Sequence, residues 1–125
     1  MDTSLNKLRT LNRTAGLLHL ASFIAIILLA NDASLPVNAT YMTEAPGTGS
    51  FSSPVQLFNL NISYMVAAFL FLSAFFHFFI TSGGNFARYT DGLSKHINVY
   101  RWVEYSLSSS IMIIVILQLN GVTQI

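Results

Sequence analysis

From Tyr105 to Ile125 the chain carries no charged residue, and Thr14–Asn31 and Leu57–Thr81 are equally free of charge. About 20 predominantly apolar residues let an α-helix cross the roughly 30 Å hydrocarbon core of a bilayer. Inside lipid every backbone N–H and C=O must find a partner within the protein, so a run of this length spans as a helix. These three runs therefore predict an all-α membrane protein with three transmembrane helices, over about 11–31, 57–81 and 97–120. Composition agrees: 53% of residues are hydrophobic and 9% charged, whereas a soluble domain carries about 25% charged residues. The sequence reads as a single membrane domain, residues 1–125. There is no cysteine, which excludes disulfides and thiolate metal sites. No basic run, Gly-rich phosphate loop or zinc-finger spacing occurs, so nucleic acid is not an expected partner. No enzymatic activity is expected either.

The segments between the runs have their own chemistry. Residues 32–56 form a loop, broken by Pro36, Pro46-Gly47-Thr48-Gly49 and Pro54. Within it Val37-Asn38-Ala39-Thr40-Tyr41 is a candidate strand, with Pro-Gly-Thr-Gly turning the chain back into a short β-hairpin. Asn38-Ala39-Thr40 fits the N-glycosylation pattern, a match that is frequent by chance. Ser82-Gly83-Gly84-Asn85 ends the second run, and a connector follows to residue 96. Gly121 suits the C-terminal cap of the third helix. The first run is longer than the apolar region of a cleaved signal peptide, contains His19 and lacks a clean cleavage site.

Charge sets the expected orientation. All six Lys and Arg fall in 1–13 or 88–101, while the 32–56 loop holds only Asp32 and Glu44. The positive-inside rule then places the N-terminus and the 82–96 connector in the cytoplasm. The 32–56 loop and the C-terminal end lie outside.

Against this background Glu104 stands out, because it sits just inside the third span. A carboxylate at mid-membrane costs about 2.5–3.5 kcal/mol on insertion scales, and less near an interface, so it marks a functional site by default. At about 100° per residue Glu104, Ser108, Ile111, Met112 and Val115 share one helix face, with Arg101 close to it. The orientation also sets depths. His19 lies roughly 9 Å inward of Arg13, His77 roughly 7–8 Å inward of Ser82, and Glu104 roughly 10 Å inward of Ile97, at 1.5 Å per residue. Three helices thus each place one titratable group in the inner leaflet. Ser73 is one turn deeper than His77 on the same face.

Two imidazoles and a carboxylate at one depth are compatible with a proton relay, a polar cavity or a metal site. Metal is disfavoured, since each ligand would come from a different helix rather than from close spacing such as HExxH. Blander readings exist. Either histidine could be a core residue bonded to a neighbouring helix. Glu104 could pair with Arg101 at i,i+3, and Ser108-Ser109-Ser110 could serve helix packing. Two functional alternatives follow: a small proton-coupled or metal-handling transport subunit, or a helix-packing scaffold.

The stretch Arg101-Trp102-Val103-Glu104-Tyr105-Ser106-Leu107-Ser108-Ser109-Ser110 resembles the third-helix signature of the heliorhodopsins. Ala15-Gly16-Leu17-Leu18-His19-Leu20 and Leu72-Ser73-Ala74-Phe75-Phe76-His77-Phe78 resemble the first and second helices. Leu29-Ala30-Asn31-Asp32 and Pro46-Gly47-Thr48 resemble the first outer loop. The resemblance implies a light-sensing retinal protein whose seven-helix bundle begins with these three spans, with a cytoplasmic N-terminus. It implies a sensory or regulatory role rather than ion pumping, and a homodimer in which the outer loop takes part. It makes Glu104 the counterion of the protonated retinal Schiff base, with Ser73 nearby. It places Tyr105, Ser108, Ser109 and Met112 in the chromophore pocket. It assigns His19 and His77, with Arg101, to a polar cavity on the cytoplasmic side. The family's retinal-linking lysine lies on the seventh helix, whereas Lys7 and Lys95 here fall in cytoplasmic segments. The expectation is a fragment, a split half or a truncated form that needs the remaining helices to build the pigment.

Overall fold

The computed structural model describes residues 3–124. In chain order the elements are α1 (Thr3–Leu29), β1 (Ser34–Ala39), β2 (Val55–Asn61), α2 (Ile62–Thr81), α3 (Asn85–Ser94) and α4 (Val99–Leu119). Three helices, α1, α2 and α4, are long and apolar enough to cross a membrane, which makes this an integral membrane protein. α2 is the central helix, packed against α1 on one side and α4 on the other.

α1 starts well ahead of residue 11. Nothing before Gly16 breaks a helix, and Leu5, Lys7, Leu8 and Arg9 all favour one. The polar start of the chain is therefore a helical extension of the first span. Where α1 meets α2, Gly16 allows close approach: a Cβ there would stand 3.1 Å from His77 Cβ and 3.2 Å from the Phe78 ring. Further along the same contact Phe23 packs on Phe71 with ring centroids 5.4 Å apart.

α2 begins at Ile62 rather than at Leu57. The Asn61 side chain accepts a hydrogen bond from the Tyr64 amide at 3.1 Å, a good N-cap. Residues 57–61 belong instead to β2, where Asn59 and Asn61 interrupt the apolar run. β1 and β2 pair antiparallel, from Ser34 opposite Asn61 to Ala39 opposite Val55, with an irregularity between Val37 and Asn38. The arms continue to a bridge between Met42 and Phe51. The tip turns through Gly47 and Gly49, both at positive φ (101° and 73°). The other edge of β1 takes up the chain after α4. The Asn38 amide donates to the Thr123 carbonyl at 2.7 Å, and Asn38 Nδ2 donates to Thr123 Oγ1 at 3.2 Å. The asparagine of the glycosylation pattern is thus engaged in tying the sheet to the end of α4.

The connector contains α3, an amphipathic helix whose Phe86 is buried. Phe86, Tyr89, Tyr100 and Phe79 form a chain of aromatic contacts at 6.1–6.3 Å that fastens α3 to α4 and α2. α4 then starts at Val99, capped by Asn98, whose side chain accepts from the Arg101 amide at 3.1 Å. Its far end closes as a Schellman motif. Val122 N–H bonds the Leu117 carbonyl, Gly121 N–H bonds the Gln118 carbonyl, and Gly121 takes φ 81°.

Candidate functional site

The site lies between the three long helices, toward the end of the bundle that carries the basic residues. Glu104 is its centre. The residue is 3% exposed, although it is a carboxylic acid on a helix whose following residues are uncharged. Ser73 on α2 donates its hydroxyl to Glu104 Oε1 at 3.0 Å. Arg101, one turn earlier on α4, holds Oε2 at 3.5 Å. That ion pair is long, and the arginine side chain is 41% exposed. The guanidinium also stacks over Tyr105, 4.5 Å from the ring centroid. A buried charge needs both a counter-charge and filled hydrogen-bond positions. Glu104 has one good hydrogen bond and one weak, solvent-facing cation, so it can accommodate a further cation.

A second group of polar side chains lies one turn nearer the basic end of α2. His77 stacks on His19 of α1, with rings 11° from parallel and centroids 5.6 Å apart. On its other side His77 Nδ1 lies 3.1 Å from Asn12 Oδ1. Ser73 and His77 are i,i+4 neighbours on α2, so the two groups share one helix face. Farther out, Arg9 donates from Nε and Nη2 to the Thr81 carbonyl at 3.3 and 2.9 Å, with its guanidinium 5.1 Å from the centre of the Phe86 ring. It thereby closes the C-terminus of α2, where a cation is favoured.

The structure treats the other sequence-predicted residues unevenly. Ser108 is buried on the face of Glu104, and Met112 is half-buried a turn beyond. Tyr105 and Ser109 are exposed, and the Ser109 hydroxyl bonds the Tyr105 carbonyl. Thus Ser73, Glu104 and Arg101 meet directly, His19 and His77 meet directly, and Tyr105 and Ser109 stand outside both contacts. Among the described residues no three His, Cys, Asp or Glu side chains converge as metal ligands would.

Asn12 and Arg9 were not singled out from the sequence. They sit in what reads as a polar tail until α1 is seen to include it. The available signal was spacing, since Asn12, Gly16 and His19 recur at i, i+4, i+7 on one face. Gln118 is also buried, 4% exposed, with its Oε1 unpartnered among the described residues.

A model of the heliorhodopsin family matches residues 8–125. The chain belongs to the heliorhodopsin family. A search of curated proteins gave no significant match. As a heliorhodopsin, the chain is part of a rhodopsin-like retinal protein, and retinal is the cofactor of the complete protein. The donor set here fits one half of a site for a retinal cation. Glu104 supplies a buried carboxyl group whose second oxygen has only the long contact to Arg101. Of the two lysines, Lys7 is in the opening turns of α1, and Lys95 is exposed and paired with Asp91 at 2.8 Å.

Proposed function

We propose that these helices form the counterion-bearing portion of a light-sensing heliorhodopsin, with Glu104 as counterion and a polar cavity beside it. The observation that carries this reading is the burial of Glu104 with the Ser73 hydroxyl on one oxygen and only a long, half-exposed ion pair on the other. When bound through a protonated Schiff base to a lysine elsewhere in the bundle, retinal supplies the cation and the light-driven change of shape. Glu104 holds the compensating negative charge, since an opposite charge at close range favours the ionised form of both partners. Ser73 orients that carboxylate. His19 and His77, one turn away, offer imidazole nitrogens that can take a proton. Ser108 and Met112 continue the Glu104 face toward the chromophore, and Tyr105 and Ser109 present their exposed side to the helices that complete the pocket.

The basic end of the bundle is cytoplasmic on this reading, and the β-sheet loop lies outside. The role is sensory or regulatory rather than ion pumping, and the complete protein is a homodimer. The three spans correspond to the first three of seven helices.

The test is a visible-absorption pH titration of the complete pigment and its Glu104→Gln variant. Gln keeps the shape and removes the charge. The positive charge then spreads along the polyene, and absorption of the protonated form moves to longer wavelength. The deprotonated, ultraviolet-absorbing form appears at lower pH, by one to three units, the usual worth of a close opposite charge. An unchanged spectrum and titration would reduce Glu104 to a structural partner of Arg101.

A further inference from the structure

Asn12 is 8% exposed on α1, and both ends of its amide are engaged. Its Nδ2 lies 3.0 Å from the Leu8 carbonyl. A backbone carbonyl can only accept, so the atom facing it must be the amide nitrogen. The amide orientation follows from that contact alone, and the atom facing His77 is the carbonyl oxygen Oδ1. An amide oxygen is an acceptor only. At 3.1 Å the partner nitrogen, His77 Nδ1, must therefore carry the proton.

We propose that Asn12 is a positioning residue that holds His77 in the Nδ1–H tautomer, so that His77 exchanges protons through Nε2 alone. A free neutral imidazole prefers the opposite tautomer, with the proton on Nε2. In this site the preference is inverted by one hydrogen bond, because an Nε2–H tautomer would set the Nδ1 lone pair against the Asn12 oxygen. The chemistry balances simply. A proton arriving at Nε2 gives an imidazolium whose Nδ1–H stays on Asn12. Loss of the proton from Nε2 restores the starting tautomer. A relay through the ring would require the proton on Nδ1 to leave toward Asn12, and an amide oxygen is far too weak a base to receive it. His77 thus stores a proton and returns it by the same atom. Gly16, one turn beyond Asn12, brings α1 close enough for this contact, with its Cβ position 3.1 Å from His77 Cβ.

The inference concerns the same polar cluster as the functional proposal, but its test reads the imidazole directly and stands apart from the counterion assignment. The experiment is nitrogen-15 NMR of histidine-labelled complete protein in bilayers at a pH where His77 is neutral, with the His77 signals identified by their loss in His77→Gln. The expected result is a protonated Nδ1 and a bare Nε2 in the native protein. A bare Nδ1 there overturns the proposal without any variant of Asn12. Asn12→Leu should move the proton to Nε2, and Asn12→Asp, which keeps an acceptor oxygen in place, should leave Nδ1 protonated. An Nδ1–H signal that persists unchanged in Asn12→Leu would equally overturn it, since some other group would then be setting the tautomer.

Discussion

Gly16 of α1 stands so close to His77 of α2 that a methyl group at position 16 would meet the His77 Cβ at 3.1 Å and the Phe78 ring at 3.2 Å. Most real Cβ contacts are looser than this. Neither opposing atom is the far end of a flexible chain, since one is a Cβ and the other an aromatic ring in the helix contact. The closeness is what lets His19 stack on His77 and Asn12 reach His77 Nδ1.

A larger residue at position 16 should therefore damage the site through the helix contact. Gly16→Val should cost about 1–3 kcal/mol, the usual range for overpacking a tight contact. Unfolding of the variant in lipid or detergent, followed by circular dichroism, measures the loss. Gly16→Ala should lie between native and Val. A Val variant as stable as the native protein would show that α1 and α2 are not held this closely.

Much of this architecture is legible in the sequence, and the reasons are specific. The cores of α1, α2 and α4 are visible because long uncharged runs have few other fates in a chain this apolar. The ends are less legible. α2 begins at Ile62 because Asn61 caps it, but Leu57 to Asn61 are as uncharged as the span itself, so charge alone does not separate strand from helix. α3 follows two glycines and contains a third, Gly92, which makes its sequence read as irregular. Its helical form depends on Phe86 and Tyr89 packing against other elements, a tertiary contact that a local pattern does not announce. In the site, Glu104 with Arg101 and His77 with Ser73 follow from helical spacing. Which groups touch across helices does not follow. Ser73 rather than Ser108 bonds Glu104, and Asn12, from the polar start of α1, bonds His77.

The orientation rests on charge alone and can be tested directly. Position 48 lies in the exposed turn of the β-sheet loop, so Thr48→Cys should react with an impermeant thiol reagent from outside intact cells. For the connector, Gly92 is a poor site, since a side chain there would meet the Ile97 carbonyl at 2.8 Å. Ser94, exposed at the end of α3, serves instead, and Ser94→Cys should react only after permeabilisation. Labelling of position 94 from outside would invert the bundle and place the His19, His77 and Glu104 cluster in the opposite leaflet.

Two groups hold Glu104, and their effects on its charge can be separated. Ser73 donates to Oε1 at 3.0 Å, and Arg101 approaches Oε2 at 3.5 Å. A hydrogen bond to a buried carboxylate is worth about 1.5–3 kcal/mol, whereas an ion pair with a half-exposed arginine is worth much less after solvent screening. The hydroxyl draws electron density from the carboxylate and weakens its hold on a neighbouring cation. Ser73→Ala in the complete pigment should leave the carboxylate charge more available, pin the positive charge closer to the Schiff-base nitrogen and shift absorption to shorter wavelength. That sign is opposite to the one expected for Glu104→Gln. Ser73→Cys, whose thiol is a weak donor of similar size, should fall between Ala and the native protein. Arg101→Gln should change the spectrum less than Ser73→Ala. The measurement is the absorption maximum of each purified pigment at a pH where all are protonated. A red shift in Ser73→Ala would overturn the sign argued for the serine, and a larger change in Arg101→Gln would mean that the arginine governs the charge on Glu104.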